Sequence, residues 1–241
     1  MITTASGPTI ARIAFLMGDV ARATILAALM SGRSLTAGEL ARIAGVSPQT
    51  SSGHLSKLLE AGLVEVERQG RFHYYRLAST EVAGALEALS IVAASQPTKF
   101  FRPGPKDEQL RLARTCYDHL AGKLGLAIAD SLQEREAVVV KESSAFVTSS
   151  GHNFFEDFGI DIHEGKPSKP LCKTCLDWSE RRHHFSGRVG TSLLNRMLDL
   201  KWIKRDDQSR AVSVLPPGEQ GLLKVFGVRV SDLRKPSSPI L

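Results

Sequence analysis

The sequence predicts an α+β protein, mainly helical, that folds as two domains. A helix–turn–helix followed by a β-hairpin is predicted within residues 19–77. Two related segments, at about 112–161 and 172–230, repeat a second pattern, and a proline-rich stretch lies between the two regions. With 241 residues, of which 42% are hydrophobic, the chain is long enough to bury two cores of ordinary size.

The helix–turn–helix is predicted from two capped segments. Thr36 begins the first helix, Glu39 follows three residues later as in a capping box, and Gly45 ends it. The segment Ser47–Gly62 has a capping serine, a proline at its first helical position, a stripe of leucines and a final glycine. Such a short connection between two helices is typical of a helix–turn–helix.

One face of the second helix is polar and free of carboxylates until Glu60. Its side chains are Gln49, Thr50, Ser52, His54, Ser56 and Lys57. This surface suits the negatively charged groove of duplex DNA, in which phosphates and base edges accept hydrogen bonds. An ordinary solvated helix face is the alternative. The next element favours DNA binding, because strands at 63–67 and 72–77 flank a basic, glycine-containing tip, Arg68-Gln69-Gly70-Arg71.

Helices with apolar faces flank this unit. Pro8–Met17 and Asp19–Met30, the latter capped by Asp19, precede it, and Ser79 caps a further helix that runs to about Ala94. This last helix carries a broad apolar face that one small domain has little to pack against. We therefore expect a second copy of the chain to cover it.

Residues 19–77 resemble the ArsR/SmtB-type winged-helix repressors. The matching motifs are D-V-A-R-A-T-I-L-A-A-L at 19–29, E-L-A-R-I-A-G-V-S at 39–47, S-G-H-L-S-K-L-L-E-A-G-L-V at 52–64 and G-R-F-H-Y-Y-R-L at 70–77. The resemblance implies a homodimer, built by the first helix and the helix after the wing. Such a dimer reads an inverted repeat in a double-stranded operator.

Carried over by position, the resemblance also implies which residues contact DNA. The major-groove residues are Ser47, Gln49, Thr50, Ser52, His54 and Lys57, and the wing residues are Arg68 and Arg71. Gly53 departs from the family, which often has a long polar or basic side chain there. The metal sites of the family are not expected in residues 1–95, because Glu39–Arg42 holds no thiol and residues 79–95 hold no histidine.

Composition predicts where the first domain ends. Residues 96–107 contain three prolines, a glycine and three cations, and are predicted to be a linker between a DNA-binding and dimerisation domain, 1–95, and an effector domain, 108–241.

The second domain contains an internal repeat. One copy begins C-Y-D-H-L-A-G at Cys116, and the other begins C-L-D-W at Cys175 and resumes H-F-S-G at His184. Each copy then predicts a helix, two strands and a closing helix, which is a degenerate winged-helix-like unit. Neither copy has a polar helix like Ser47–Glu60, so we do not expect a second DNA-reading surface. These motifs also resemble the C-terminal module of a long subgroup of the same repressors.

The repeat places Cys116 and His119 in correspondence with Cys175 and His184. If the copies pack symmetrically, these four residues converge and can bind a metal ion or metalloid. Cys172 adds a C-x-x-C spacing with Cys175. Two alternatives stay open: the cysteines are buried core residues, or they are thiols that respond to oxidation. Both Cys116 and Cys175 are predicted to begin helices.

A basic cluster near Trp178 offers another binding possibility. Its members are Arg181, Arg182 and Arg188. They could hold an anionic effector, or they could pair with Glu180 and Asp177 on the surface. The whole chain is basic, with a net charge of +6 and a pI near 9.4, which mildly favours a polyanionic partner.

Other signals limit the function classes. Without a signal-peptide pattern or a run of about 18 apolar residues, and with three cysteines, the chain is expected in the reducing cytoplasm and not in a membrane. It contains no nucleotide-binding glycine loop, G-x-S-x-G or H-E-x-x-H motif, so an enzyme is not expected. The prediction is a homodimeric repressor that an effector in the C-terminal domain releases from DNA. A thiol-based redox regulator and an enzyme with an accessory winged helix are the alternatives.

Overall fold

The structure is a computed structural model that describes residues 6–95, 105–141, 144–162, 170–207 and 209–234. The chain divides into two compact units, Met1–Leu86 and Glu87–Leu241, with the division inside the helix Thr80–Ser95. Each unit is described separately.

The first unit is a winged helix-turn-helix. Its helices are α1 (Gly7–Met17), α2 (Val20–Leu29), α3 (Ala37–Ala44) and α4 (Pro48–Glu60), and its strands are β1 (Leu35–Thr36), β2 (Val64–Gln69) and β3 (Phe72–Leu77). The strands form an antiparallel sheet in the order β1-β3-β2. Helix α5 (Thr80–Ser95) follows the sheet.

The predicted helix caps of this unit are confirmed. The Asp19 carboxylate accepts a hydrogen bond from the Arg22 backbone N–H at the start of α2. Thr36 and Glu39 form both halves of a capping box at the start of α3, and the hydroxyl of Ser47 accepts from the Thr50 N–H at the start of α4. These caps satisfy backbone donors that the first turn of a helix leaves unpaired.

The core of the first unit lies between α2, α3, α4 and the sheet. Its most deeply buried side chains are Ile25, Leu26, Leu29, Leu40, Leu55, Leu58 and Leu77. Because Leu55 and Leu58 occupy the inner face of α4, the opposite polar face of α4 is directed to solvent.

In the second unit, the next helix after α5 is α6 (Pro105–Leu112). The predicted linker, 96–107, therefore needs a correction at its end, since residues 105–107 already belong to a helix. Proline is compatible with the first turn of a helix, so its presence did not exclude one. The rest of the predicted linker, residues 96–104, lies outside the described residues.

Two copies of a hairpin–helix–hairpin–helix pattern follow. The first copy contains β4 (Arg114–Cys116), β5 (His119–Ala121), α7 (Gly122–Glu134), β6 (Val138–Lys141), β7 (Ser144–Val147) and α8 (Ser149–Asp157). The second contains β8 (Lys173–Leu176), β9 (His183–Ser186), α9 (Gly187–Asp199), β10 (Ile203–Arg205), β11 (Val212–Val214) and α10 (Pro216–Phe226), and α11 (Val230–Leu233) follows it. The helix, hairpin and closing helix of each copy agree with the predicted repeat.

The two copies exchange strand contacts in a nearly symmetric way. The second hairpin of the first copy joins the first hairpin of the second copy, through Ser144 and Lys173, in a sheet of order β6-β7-β8-β9. In the reverse direction, a bridge between Arg114 and Ala211 connects β4 to the hairpin of β10 and β11. A shared apolar core lies between the copies and includes Leu124 and Leu132 of α7 with Leu194 and Met197 of α9.

The prediction that Cys116 and Cys175 begin helices is wrong. Both lie in strands, β4 and β8, and the helices begin only after the return strands, at Gly122 and Gly187. These glycines have φ of +79° and +80°, and a Cβ on either would lie 2.7 Å from a backbone carbonyl oxygen. Strands of three or four residues are too short to show a period of two in the sequence.

Among the described residues, the structure contains no helix that is both long enough and apolar enough to cross a membrane.

Candidate functional site

The outward face of α4 carries the side chains that the sequence assigns to DNA. Those that are exposed are Ser47, Gln49, Thr50, Ser52 and Lys57. Ser47 and Thr50 also share a hydrogen bond of 2.8 Å between their hydroxyl groups, within the cap of α4. Ser51, on the inner face, is fully buried and donates to the carbonyl oxygen of Ala37 in α3. The helix is thus fixed on one side and polar on the other.

His54 differs from the other predicted contacts. Only 15% of its side chain is exposed, and its Nδ1 lies 3.5 Å from the guanidinium of Arg22 and 3.8 Å from the carboxylate of Asp19. Arg22 is itself buried and donates to the carbonyl oxygens of Phe15 and Leu16. His54 therefore connects α4 to α2, a role that sequence reasoning did not assign to it.

The basic wing tip is exposed as predicted. Arg68 and Arg71 flank Gly70, which turns the chain with φ of +58°. The guanidinium of Arg71 lies 5.4 Å from the centre of the Phe72 ring. At Gly53, which departs from the resembled family, an added Cβ would meet no atom within 4 Å, so the helix surface there is open.

In the second unit, four residues that the repeat brings into correspondence lie together. The ligand atoms of Cys116, His119, Cys175 and His184 all lie within 4.8 Å of one another. The two Sγ atoms are 3.8 Å apart, and the two Nε2 atoms are 3.0 Å apart. Three of the residues are buried, and Cys175 is half-buried. We call this group the Cys/His cluster.

The hairpins explain how the Cys/His cluster is assembled. Cys116 faces His119 across β4 and β5, and Cys175 faces His184 across β8 and β9, so each hairpin supplies one sulfur and one imidazole. Tyr117 makes the tight turn of the first hairpin with φ of 60°.

Glycines in the two long helices let the hairpins approach. A Cβ at Gly190 of α9 would lie 3.0 Å from the Cβ of His119 and 2.6 Å from the carbonyl oxygen of Phe185. A Cβ at Gly125 of α7 would lie 3.8 Å from the Cβ of His184 and 2.6 Å from the carbonyl oxygen of Leu120. Each histidine thus packs against a glycine of the opposite copy.

Two carboxylates lie beside the histidines. Asp118 is 3.2 Å from Nδ1 of His119, and Asp177 is 3.6 Å from Nδ1 of His184. Asp177 is fully buried, where it accepts from the backbone N–H of Gly122 and forms a 2.9 Å ion pair with the fully buried Arg114. Burial raises the pKa of Asp177, but the charge and hydrogen bond of Arg114, together with hydrogen bonds from Ser179 and Gly122, hold the pKa well below its usual range.

Protonation in the Cys/His cluster is unevenly shared. The hydrogen bond between the two sulfurs lowers the pKa of Cys175 and raises that of Cys116. Burial acts to lower the pKa of His119, yet hydrogen bonds to Asp118 and Cys175 raise it to about 9. Burial lowers the pKa of His184.

Cys172 does not join the Cys/His cluster. It lies in the apolar core, where burial raises its pKa to about 12. Cys172 lies in a bend just before β8, whereas Cys175 lies within β8 and pairs with His184 of β9. The C-x-x-C spacing, taken as a candidate ligand pair, therefore does not bring its two sulfurs to one site.

The basic cluster near Trp178 also differs from its prediction. The cations over the indole ring are Arg114 and Arg111, at 4.6 and 5.8 Å from the ring centre. Arg182 instead pairs with Asp130 at the surface. Sequence reasoning missed the Arg114–Asp177 pair, although the equivalent positions of Asp118 and Asp177 in the two copies were a usable signal.

A helix–turn–helix with an exposed, carboxylate-poor second helix and a basic wing defines the class of winged helix-turn-helix transcriptional regulators, to which the resembled family also belongs. Residues 17–67 match the model of a helix-turn-helix domain family. Over 224 residues the chain is 42% identical to the HTH-type transcriptional regulator YdfF of Bacillus subtilis (strain 168), a match that covers 92% of this chain and 99% of YdfF. The chain belongs to the HTH-type transcriptional regulators.

Solved structures also match the chain in part. One is the homodimeric winged helix-turn-helix DNA-binding domain of a possible ArsR-family regulator from Mycobacterium bovis (26% identity, 42% of this chain and 98% of that chain, TM-score 0.36). Another is the cadmium metal-sensor CmtR from Mycobacterium tuberculosis (34% identity, 39% of this chain and 98% of that chain, TM-score 0.31).

Proposed function

We propose that this regulator is a homodimeric repressor that binds an inverted-repeat operator and is released by an effector sensed in residues 108–241. The observation that carries the proposal is the outward face of α4, which exposes short polar side chains and Lys57 and has no carboxylate before Glu60. The phosphates and base edges of a duplex groove accept hydrogen bonds from such side chains, and this face has no carboxylate that the phosphates would repel.

Base reading and phosphate contact fall to different residues in this proposal. Gln49 is exposed in the first turn of α4, and a glutamine amide can make a bidentate contact with adenine. Lys57, Arg68 and Arg71 are exposed cations that would neutralise phosphates, which contributes affinity regardless of sequence. His54 acts mainly by fixing α4 against α2.

A second copy of the chain is the partner that we assign to the exposed apolar side chains. On α1, Ile10 and Phe15 are 58% and 75% exposed, and on α5, Leu89 and Val92 are 51% and 59% exposed. Large exposed apolar groups on helices typical of dimer formation in the resembled family favour an interface between copies. Two α4 helices of such a dimer would reach successive major grooves, about 34–36 Å apart.

The effector response is assigned to residues 108–241, because they contain the Cys/His cluster. An effector releases DNA if it binds more tightly to a dimer whose two α4 helices are wrongly spaced for the operator. The resulting shift in the equilibrium between the two dimer conformations cannot exceed the difference in the affinity of the effector for them. A redox response is the second candidate, favoured by the 3.8 Å separation of the Cys116 and Cys175 sulfurs. Thiols of this kind persist in the reducing cytoplasm, where we expect the protein to act.

In vitro selection tests this function. The purified full-length protein is incubated with a random duplex library, and bound duplexes are amplified and sequenced over several rounds. We expect an inverted repeat whose half-sites are centred about one helical turn apart, and we expect Gln49→Ala to lose the preference at one base of each half-site. Enrichment of no sequence, with binding that depends only on salt, would contradict the proposal.

A further inference from the structure

We propose that Cys116, His119, Cys175 and His184 form a four-coordinate site for one divalent metal ion of the Zn²⁺ class, and that this ion is the effector of residues 108–241. The regulatory part of this inference rests on the proposed function. The metal-binding part does not, and it is tested without DNA.

The distances suit tetrahedral coordination. Sulfur ligands at about 2.3 Å from a tetrahedral Zn²⁺ lie about 3.8 Å apart, and nitrogen ligands at about 2.0–2.1 Å lie about 3.3 Å apart. The corresponding separations are 3.8 Å between the Cys116 and Cys175 sulfurs and 3.0 Å between the Nε2 atoms of His119 and His184. An ion therefore needs only small side-chain movements to enter.

The donor set selects the class of metal. Two thiolates and two imidazoles are borderline to soft ligands, which suit Zn²⁺ and similar ions, whereas Mg²⁺ and Ca²⁺ prefer oxygen. Two thiolates also balance the charge of a divalent cation, so the complex is neutral. Neutrality matters because an unbalanced charge in this buried position would be costly.

The neighbouring carboxylates strengthen the case for a metal. In metal sites, a ligating histidine usually presents one ring nitrogen to the ion while a carboxylate or carbonyl holds the other. Asp118 lies within hydrogen-bond distance of Nδ1 of His119, at 3.2 Å, whereas Nδ1 of His184 is buried without a hydrogen-bond partner and lies 3.6 Å from Asp177. The two Nε2 atoms lie 3.0 Å apart. A redox pair needs only the two sulfurs and would not use either imidazole.

The position of the Cys/His cluster also suits an ion that acts as a switch. Each copy of the repeat supplies one cysteine and one histidine, so a bound ion connects the two copies and favours one packing of the second unit. The adjacent apolar cavity, lined by residues that include Leu120, Phe185 and Met197, measures about 20 Å³. This is room for about one water molecule and excludes an organic effector from that space.

Metal content and cobalt spectroscopy test the site. The full chain is purified with Zn²⁺ present, dialysed and subjected to elemental analysis. We expect one Zn²⁺ per chain in the wild type and in the control Cys172→Ser, and less than about a tenth of that in Cys116→Ser and His184→Ala. Because these last two variants can fail to fold, chelator-treated wild type is also titrated with Co²⁺. One equivalent should produce intense visible bands of tetrahedral Co²⁺ and a thiolate charge-transfer band.

Two results would overturn the metal site: no bound metal and no cobalt bands in the wild type, or loss of metal in Cys172→Ser with retention in Cys116→Ser. A third result would overturn the ion as effector: formation of a Cys116–Cys175 disulfide releases DNA from the metal-free protein, whereas Zn²⁺ does not. Failure of the metal site and failure of the proposed function can be told apart. A protein that binds one Zn²⁺ but selects no DNA sequence would contradict only the proposed function.

Discussion

The Nε2 atoms of His119 and His184 lie 3.0 Å apart, although the residues are 65 positions apart and belong to different copies of the repeat. This contact exists because each histidine packs against a glycine of the opposite copy, Gly190 for His119 and Gly125 for His184. The Cys/His cluster is therefore assembled by the same close packing that brings the two copies of the repeat together.

Gly190→Ala should separate the two halves of the Cys/His cluster. The new methyl group would lie 2.6 Å from the Phe185 carbonyl oxygen and 3.0 Å from the His119 Cβ, so His119 must move. We expect Co²⁺ affinity to fall at least about tenfold, because misplacing one ligand weakens a four-ligand site. A competition titration against a metal chelator measures it. Gly84→Ala, where the added Cβ has open space, is the control and should bind Co²⁺ as wild type does.

Asp177→Ala should destabilise the protein far more than loss of a surface ion pair. It would leave the fully buried guanidinium of Arg114 without its carboxylate, which typically costs about 3–5 kcal/mol. Arg182→Ala removes a partner of Asp130 at the exposed surface and should cost no more than about 1 kcal/mol. Urea unfolding followed by circular dichroism compares the two. Equal decreases in the free energy of unfolding in the two variants would mean that the Arg114–Asp177 ion pair does not stabilise the fold.

Gln49→Ala and Arg71→Ala should weaken DNA binding in different ways. Removing a base-reading amide should cost about 1–3 kcal/mol on the selected operator and relax discrimination at one base. Removing a wing cation should weaken binding to all duplexes alike and reduce the salt slope by about one. Fluorescence anisotropy at several salt concentrations, on operator and scrambled duplexes, separates the effects. A change of sequence preference in Arg71→Ala would show that the wing reads bases.

Leu89→Glu should convert the dimer to monomers. Leu89 is 51% exposed on α5, so a charge there is compatible with the folded chain but not with an apolar interface between copies. Analytical ultracentrifugation should find a single-chain mass, and operator binding should become much weaker. The matched control is Leu223→Glu on α10, which is 44% exposed and should remain dimeric. An intact Leu89→Glu dimer would place the interface elsewhere.

Local signals in the sequence predict much of the fold. The caps at Asp19, Thr36 and Ser47 act over three residues, so the sequence reveals them directly and the structure reproduces them. The repeat likewise predicts which cysteines and histidines correspond. Short strands are harder to predict: the sequence places Cys116 and Cys175 at the starts of helices, because strands of three or four residues leave too little periodicity to recognise.

Contacts between distant elements were the part that sequence reasoning missed. The burial of Arg114 with Asp177 depends on how two hairpins pack, and nothing local distinguishes Arg114 from a solvated arginine. The contact of His54 with Asp19 and Arg22 has the same origin, because α2 and α4 are far apart in sequence. Cys172 shows the converse: the C-x-x-C spacing predicts a ligand pair with Cys175, but Cys172 lies in a bend before β8 and packs into the apolar core.

The most direct test of the account compares operator affinity with and without the metal ion. Fluorescence anisotropy is recorded on the selected duplex with chelator-treated protein and with protein carrying one equivalent of Zn²⁺, for the wild type and for Cys116→Ser. If the ion is the effector, the two wild-type affinities should differ by about 5–150-fold, with weaker binding in the Zn²⁺ form, and the Cys116→Ser curves should coincide. If the binding curves of wild-type protein with and without one bound Zn²⁺ coincide, the claim that the ion is the effector is contradicted.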